Sequence, residues 1–343
     1  MQWIWTAQDK ARLAGFLEAH GLNTKGMELR TIGDGHSNIT TLARLPEGNV
    51  ILRHQPTLRE GAPDVLREAR FLQRMNAAGV LAPKVLAIAE AGLALDVPIY
   101  VMEHVEGIVI SGDLPPGFAA GARVMGEAMI DGLAALHAAD ATIATSRPLD
   151  DPDCLRRHFG VMEGLAGAID TSEGRDLQAF GAVLKAQMPQ AMRQTIVHSD
   201  YRLGNLMWQP DLPPRLAVLL DWELSTIGDP RLDLGYFMVS YPAPGLPKSP
   251  LQELGRALYQ ADFPPVGDLL ARYQAARGLR LENLRWFAAF VAWKTAIFFV
   301  TSRLRGEDAY YDDDRHCSAF LAHALAQLNR AEAATATGVE NAS

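Results

Sequence analysis

The sequence predicts an α+β chain in two parts, a small antiparallel-sheet part followed by a larger, mostly helical one. Three observations carry that reading. Short strand-like runs crowd the first hundred residues, helical periodicity takes over from about residue 121, and one short hairpin interrupts the helices between residues 196 and 228. The expected division is 1–104 and 105–343. Residues 331–343 are expected to be a frayed tail, because Thr335, Gly338, Asn341 and Ser343 carry no core pattern.

An amphipathic helix is expected around Gln8–His20. Strands follow over Glu28–Ile32, Asn38–Leu45 and Asn49–His54, the last two joined at the turn residues Pro46-Glu47-Gly48-Asn49. Pro63-Asp64 opens a helix that keeps Val65, Ala69, Leu72 and Met75 on one face. Lys84–Ala89 and Pro98–Met102 read as two further strands. Met125, Met129, Leu133 and Leu136 then hold helical spacing, and similar stretches recur near 175–192, 265–278, 281–304 and 315–331. The hairpin island has strands over Asn205–Trp208 and Leu216–Leu220, bent by Pro210-Asp-Leu-Pro-Pro214.

The 343 residues carry 32 Lys and Arg against 40 Asp and Glu, a net charge of −8. Such a balance argues against a nucleic-acid partner bound by broad phosphate neutralisation. Cys154 and Cys317 offer neither a metal spacing nor a disulfide framework, which suits a reducing cytoplasm. The first ten residues, with Trp3, Trp5, Asp9 and Lys10, lack the apolar core of a signal peptide. The richest apolar run, Trp286–Val300, is broken by Lys294 and reads as a buried helix, so no membrane partner is expected.

Chemistry gathers around the hairpin. It is flanked by His198-Ser-Asp200-Tyr-Arg-Leu-Gly-Asn205 on one side and Asp221-Trp-Glu223 on the other. A strand–turn–strand returns Asp221 toward Asn205, bringing a carboxylate and an amide oxygen together as hard ligands for Mg²⁺. Asp200 stays nearby to accept a hydroxyl proton. Phosphoryl transfer needs that set. The plain alternative is a polar loop in which Asp200 and Asn205 cap backbone groups.

The first part supplies candidates for a nucleotide site. Gly33-Asp-Gly35-His-Ser37-Asn38 lies between two strands, where glycines let backbone N–H groups approach phosphates, although a plain hairpin turn would look the same. Arg53, in the strand Val50-Ile51-Leu52-Arg53, presents a cation to phosphate, and Glu68 on the next helix is placed to orient it. The connector Ile99–Gly107 offers backbone near Glu103 and Val105 to an adenine edge, with Met102 packing nearby; a purely structural strand is equally compatible.

Together these motifs resemble the aminoglycoside phosphotransferase/choline kinase family of the bilobal protein-kinase-like fold, over about residues 25–330. IVHSDYRLGNLMW and AVLLDWELSTIGDPRLDLGYFM carry most of the likeness. Closer still is the phosphotransferase group typified by the kinase domain attached to some acyl-CoA dehydrogenases, through GDGHSNIT, VILRHQP, LREARFLQRM and WKTAIFFVTSRLRGEDA. The resemblance implies Mg²⁺-dependent transfer of the ATP (or GTP) γ-phosphate to a small-molecule hydroxyl. It makes Asp200 the base, Asn205 and Asp221 the metal ligands, and Arg53 the phosphate contact. Against the protein-kinase pattern, Asn38 replaces a third glycine, Arg53 replaces a lysine, and no Ala-Pro-Glu segment follows Asp221, which disfavours a protein substrate.

Neighbouring residues receive supporting roles. Glu223 is read as a water-mediated metal contact or a loop hydrogen bond, Asp229 as a helix cap before Pro230, and Asp233 as a brace for the Asp200 loop. His198 is expected to bond backbone, and His137 to be a satisfied, semi-buried histidine. Arg202 is expected to meet an acceptor anion or Glu223. The acidic run Glu307–Asp314 is expected to be a solvated helix entrance, with a cation-binding rim as the sharper alternative. A hydroxylated acyl compound or its CoA thioester leads the acceptors, with Arg156, Arg157, Arg202, Arg303 and Arg305 as candidate anion contacts. An aminoglycoside or amino-alcohol is second. A catalytically weak nucleotide-binding regulator is the reading from another class, and a metal-dependent hydrolase lacks the two-metal His/Asp spacing it needs.

Overall fold

Thr6 starts the first helix: its hydroxyl accepts the Asp9 N–H at 3.0 Å while the Asp9 carboxylate accepts the Thr6 N–H at 3.1 Å. In the computed structural model, which describes residues 3–32, 38–57, 64–307 and 309–330, this helix, α1 (Ala7–Ala19), lies against a five-stranded sheet. The strands are β1 (Glu28–Ile32), β2 (Ile39–Arg44), β3 (Val50–His54), β4 (Val85–Ala89) and β5 (Ile99–Glu103), in the order β1-β2-β3-β5-β4, every neighbour antiparallel. Helix α2 (Val65–Ala77), capped by the Asp64 side chain, joins β3 to β4.

The period of two along β3 divides the sheet. Val50 and Leu52 pack with Leu13 and Leu17 of α1, whereas Ile51 packs with Leu66, Leu72 and Met75 of α2. Arg53 shares the parity of Ile51, so it too is directed to the α2 side, opposite Tyr100 in the β3–β5 register. The sequence pattern thus dictates where its guanidinium goes.

The chain continues through β6 (Ile108–Val109), α3 (Ala122–Ala138), α4 (Cys154–Gly167) and α5 (Ser172–Ala186) to β7 (Thr195–Val197). Then come β8 (Leu206–Trp208), β9 (Leu216–Leu219), β10 (Thr226–Gly228), α6 (Arg231–Ser240), α7 (Pro250–Leu254), α8 (Val266–Arg277), α9 (Leu284–Leu304) and α10 (Arg315–Asn329). The expected hairpin β8–β9 is present and gains β6 as a third strand, while β7 pairs antiparallel with β10.

Helix α9 is the axis of the second core. By length and composition it would cross a membrane, but most of it is buried against α6, α10, α5 and α4. Trp286, Phe290, Phe159 and Trp293 stack in series with centroids 5.1–5.6 Å apart. The indole N–H groups of Trp286 and Trp293 donate to the Leu184 and Leu177 carbonyls at 2.9 and 2.7 Å, so neither buries an unmet donor. Cys154 and Cys317 are both buried and free.

Two helices of this half are weakly marked in the sequence, α6 only by its start at Asp229-Pro230 and α4 not at all. All ten residues of α6 are buried, so it has no polar face to mark a period. Helix α4 contains Gly160, Gly164 and Gly167, which weaken its signal. Gly235 lets α6 approach α9: a Cβ there would stand 2.7 Å from the carbonyl carbon and oxygen of Phe287. Gly235→Ala is therefore expected to cost about 1–3 kcal/mol by overpacking. Denaturant unfolding checks this, and an unchanged midpoint would mean the two helices separate freely.

Candidate active site

Asp233, in the first turn of α6, organises the loop after β7. Its carboxylate accepts the backbone N–H of His198 and of Ser199, each at 2.7 Å, and His137 Nε2 at 3.1 Å. Burial alone would raise the Asp233 pKa, but the bonds from His137 and His198 outweigh it and hold the carboxyl low. His137 is fully buried rather than semi-buried, and its Nδ1 accepts the Tyr273 hydroxyl at 2.7 Å. The brace expected of Asp233 is in place. It fixes Ser199 in a left-handed conformation, φ 71°, immediately before Asp200.

His198 serves the backbone, as its setting in the sequence suggests. Nε2 donates to the Leu220 carbonyl at 2.8 Å and Nδ1 accepts the Asp200 N–H at 3.3 Å. Asp229 likewise takes the Arg231 N–H at 3.0 Å at the start of α6, and its carboxylate also holds the Arg231 guanidinium and the Met192 N–H.

Asp200 accepts Asn205 Nδ2 at 2.7 Å and Arg202 Nε at 3.3 Å. The Arg202 expectation is corrected in part: this guanidinium pairs with Asp200, whereas Glu223 is engaged by Arg53 and Asn38. Two neighbours of Asp200 were not singled out from sequence. The Tyr236 hydroxyl lies within hydrogen-bonding reach of the carboxylate, and burial, then the Asp200 charge, pushes its pKa well above normal. Lys294 on α9 is 7% exposed, and burial lowers its pKa to about 8 despite the charges of Asp233 and Asp200. Among the described residues, the Lys294 ammonium has no hydrogen bond or ion pair. A lysine inside an apolar run was the available signal; it reads from sequence as a helix interruption.

The hairpin brings Asp221 back to Asn205, with the Leu220 N–H donating to the Asn205 carbonyl at 2.8 Å. Asp221 itself is left-handed, φ 62°. Arg53 reaches across from the sheet: Nε meets Glu68 at 3.1 Å, and Nη2 meets Asp221 at 3.1 Å and Glu223 at 3.0 Å. Asn38 Nδ2 also donates to Glu223 at 3.2 Å. Burial would lower the Arg53 pKa, but Glu68, Asp221 and Glu223 reverse the direction and hold it protonated.

One guanidinium thus faces three carboxylates. When all are ionised, the cluster has an excess of two negative charges. Among the described residues, neither Asn205 Oδ1 nor the second Asp221 oxygen takes a hydrogen bond, and no cluster of three His, Cys, Asp or Glu side chains forms a closed metal cage. An amide oxygen, a carboxylate oxygen and surplus negative charge fit Mg²⁺, which takes few protein ligands and completes its shell with water and phosphate.

Gly33, Gly35 and Ser37 lie outside the described residues. Glu103 ends β5, with its side chain accepting the Lys84 N–H at 2.9 Å. Val105 is half-buried and its backbone bonds to no described residue. The five arginines named as candidate anion contacts are each matched to a nearby acid: Arg156 to Asp153, Arg157 to Asp151, Arg202 to Asp200, Arg303 to Glu173 and Arg305 to Glu307. In the acidic run, Glu307 and Asp313 are paired with Arg305 and Arg315.

The sequence model of the phosphotransferase enzyme family matches residues 28–290, which hold the sheet, the Asp200 loop and Asp221. The chain belongs to this family. The chain is 31% identical to mouse acyl-CoA dehydrogenase family member 10 over 299 residues, 83% of this chain and 27% of that protein. It is 26% identical to human family member 11 over 303 residues, 84% of this chain and 38% of that one. It therefore spans well under half the length of these curated relatives. A candidate aminoglycoside phosphotransferase from Ralstonia eutropha shares its fold with a TM-score of 0.71 at 23% identity, covering 94% of this chain and 99% of that one. An aminoglycoside phosphotransferase solved with AMP-PNP and hygromycin B superposes with a TM-score of 0.59 at 16% identity, over 86% and 93% of the two chains. The chain has the bilobal, protein-kinase-like α+β fold.

Proposed function

We propose that this phosphotransferase moves the γ-phosphate of ATP, or of GTP, to the hydroxyl of a small molecule. The observation that carries the reading is the convergence of Asp200, Asn205 and Asp221 on one loop-and-hairpin unit, facing Arg53 from the sheet. Asp200 accepts the acceptor's hydroxyl proton as the new O–P bond forms and the bond to the departing nucleoside diphosphate breaks. Asn205 and Asp221 hold Mg²⁺, which when bound offsets the charge of the phosphates. Arg53, oriented by Glu68, contacts the phosphates, with Asn38 and the Gly33, Gly35 and Ser37 backbone around them. Glu103 and Val105 offer backbone to the base. In this reading the nucleotide sits between residues 1–104 and 105–343. The protein works in the cytoplasm on small molecules, without a nucleic-acid or membrane partner.

The acceptor we favour is a hydroxyacyl compound, free or as its CoA thioester. Lys294 and Arg202 beside Asp200 favour an acceptor with a negative group, and the acyl-CoA dehydrogenase relatives handle acyl thioesters by name. An aminoglycoside is a polycation and would need acids not already spoken for. A phosphate-transfer screen over hydroxy acids, their CoA thioesters, aminoglycosides and amino-alcohols, with ATP and GTP, tests this. Hydroxyacyl acceptors are expected to lead in kcat/KM by about 100-fold or more. Lys294→Met is expected to raise KM for them more than it lowers kcat. Activity confined to aminoglycosides would reverse the choice.

A further inference from the structure

Away from Asp200, a cavity of about 440 Å³ opens between α2, the 144–148 segment, α4 and β10. Its size suits a small ligand. Five arginines line it: Arg67, Arg70 and Arg74 from one face of α2, Arg147 from the 144–148 segment, and Arg157 from α4. None of Arg53, Asp200, Asn205 or Asp221 lines it.

The bonding of these arginines separates them into two groups. Arg70 is matched to Glu90 and Arg157 to Asp151. Arg67 donates only to neutral carbonyls, those of Glu223 at 3.1 Å and Ser225 at 2.8 Å. Arg74 donates to the Ala144 carbonyl at 3.1 Å. The Arg147 guanidinium makes no hydrogen bond or ion pair with a described residue. Three positive charges therefore surround one cavity without an ion pair to any described residue; Asp151, paired with Arg157, is the acid close enough to feel the Arg147 charge. The carboxylate on the wall, Asp229, is already paired with Arg231 at 2.7 Å.

A second observation points the same way. His158 Nε2, on the same wall, is buried without a hydrogen-bond partner among the described residues. Burial, reinforced by the nearby Lys294 charge, drops the His158 pKa to about 3, so the ring is neutral and offers a site for a ligand hydroxyl or water. Phe71, Leu155 and Ile227 supply an apolar floor. Arg67 and Arg74 stand two helical turns apart, about 10 Å along α2. Planar guanidinium forks with unused N–H donors match phosphate oxygens in pairs.

We propose that this cavity binds a small organic bisphosphate, one phosphate toward each end of the α2 arginine row with Arg147 closing over it. The site is distinct from the phosphotransfer centre, and the inference does not depend on which acceptor that centre uses.

The probe is fructose 1,6-bisphosphate, a bisphosphate without a nucleobase, titrated calorimetrically into the full chain at about 0.1 M salt, where surface charge is already screened. Binding is expected with a Kd below about 1 mM, at least tenfold tighter than inorganic phosphate, and it should persist in saturating Mg²⁺ and AMP-PNP. Arg74→Ala/Arg147→Ala should weaken it about tenfold or more. Arg147→Ala alone, which removes no bond to a described residue, should weaken it measurably while leaving thermal unfolding unchanged. No binding, binding no tighter than inorganic phosphate, or affinity unchanged in both variants would overturn the proposal. Displacement by AMP-PNP with full affinity in the variants would assign the heat to the nucleotide site and overturn it equally.

Discussion

Asp200→Asn is expected to lower kcat by about 10³-fold, the usual range for a general base, while the affinity for Mg²⁺ and AMP-PNP changes little. The substitution keeps the size of the side chain and an oxygen to receive Asn205 Nδ2. It removes the negative charge that Arg202 pairs with and that takes the proton. Asn205 and Asp221 remain, so nucleotide binding survives. Single-turnover transfer, measured beside calorimetric nucleotide binding, separates the two effects. A variant that turns over at the parent rate would remove Asp200 from the chemistry. A parent protein that binds nucleotide but transfers phosphate to none of the screened acceptors would favour the regulator reading.

The second large effect is at Asp221. Asp221→Ala should abolish the Mg²⁺ dependence of nucleotide binding, a loss of about 100-fold or more in the affinity measured with metal. Two consequences act in opposite directions. The carboxylate offered to the cation is lost, but Arg53 is released from one of its three acidic partners and remains held by Glu68 and Glu223. Affinity measured in EDTA should therefore stay level or rise slightly, because Arg53 is freer to meet phosphate. Titrations with and without Mg²⁺ distinguish the terms. Equal affinities in parent and variant under both conditions would deny Asp221 a metal role.

Much of the site was legible because its chemistry is local in sequence. Asp200 and Asn205 are five residues apart on one loop, and a single hairpin carries the chain on to Asp221. Arg53 and Glu68 were readable together, since strand parity and a helix face suffice to bring them into contact. What escaped depends on long-range packing. Lys294 and Tyr236 approach Asp200 only because α9 and α6 cross beneath the loop, a contact that leaves no spacing in the sequence. The arginine pairings left no trace in the sequence for the same reason: Arg303 finds Glu173 across 130 positions. Fully buried α6 was legible only at its start, Asp229-Pro230, and the three-residue strands β7 and β10 were missed, because neither a uniformly apolar helix nor so short a strand has a period to detect.

The burial of α9 bears on how the chain is made. Its apolar length is that of a membrane span, yet its partners α4, α5 and α6 all precede it in the chain. As synthesis proceeds from the N-terminus, the surfaces that receive it have left the ribosome before it emerges, and α10 arrives last to cover the remaining side. Deleting residues 154–186 would leave a 21-residue apolar helix without two of its receivers. Such a truncation is expected to leave the soluble fraction, which its yield beside the parent chain checks.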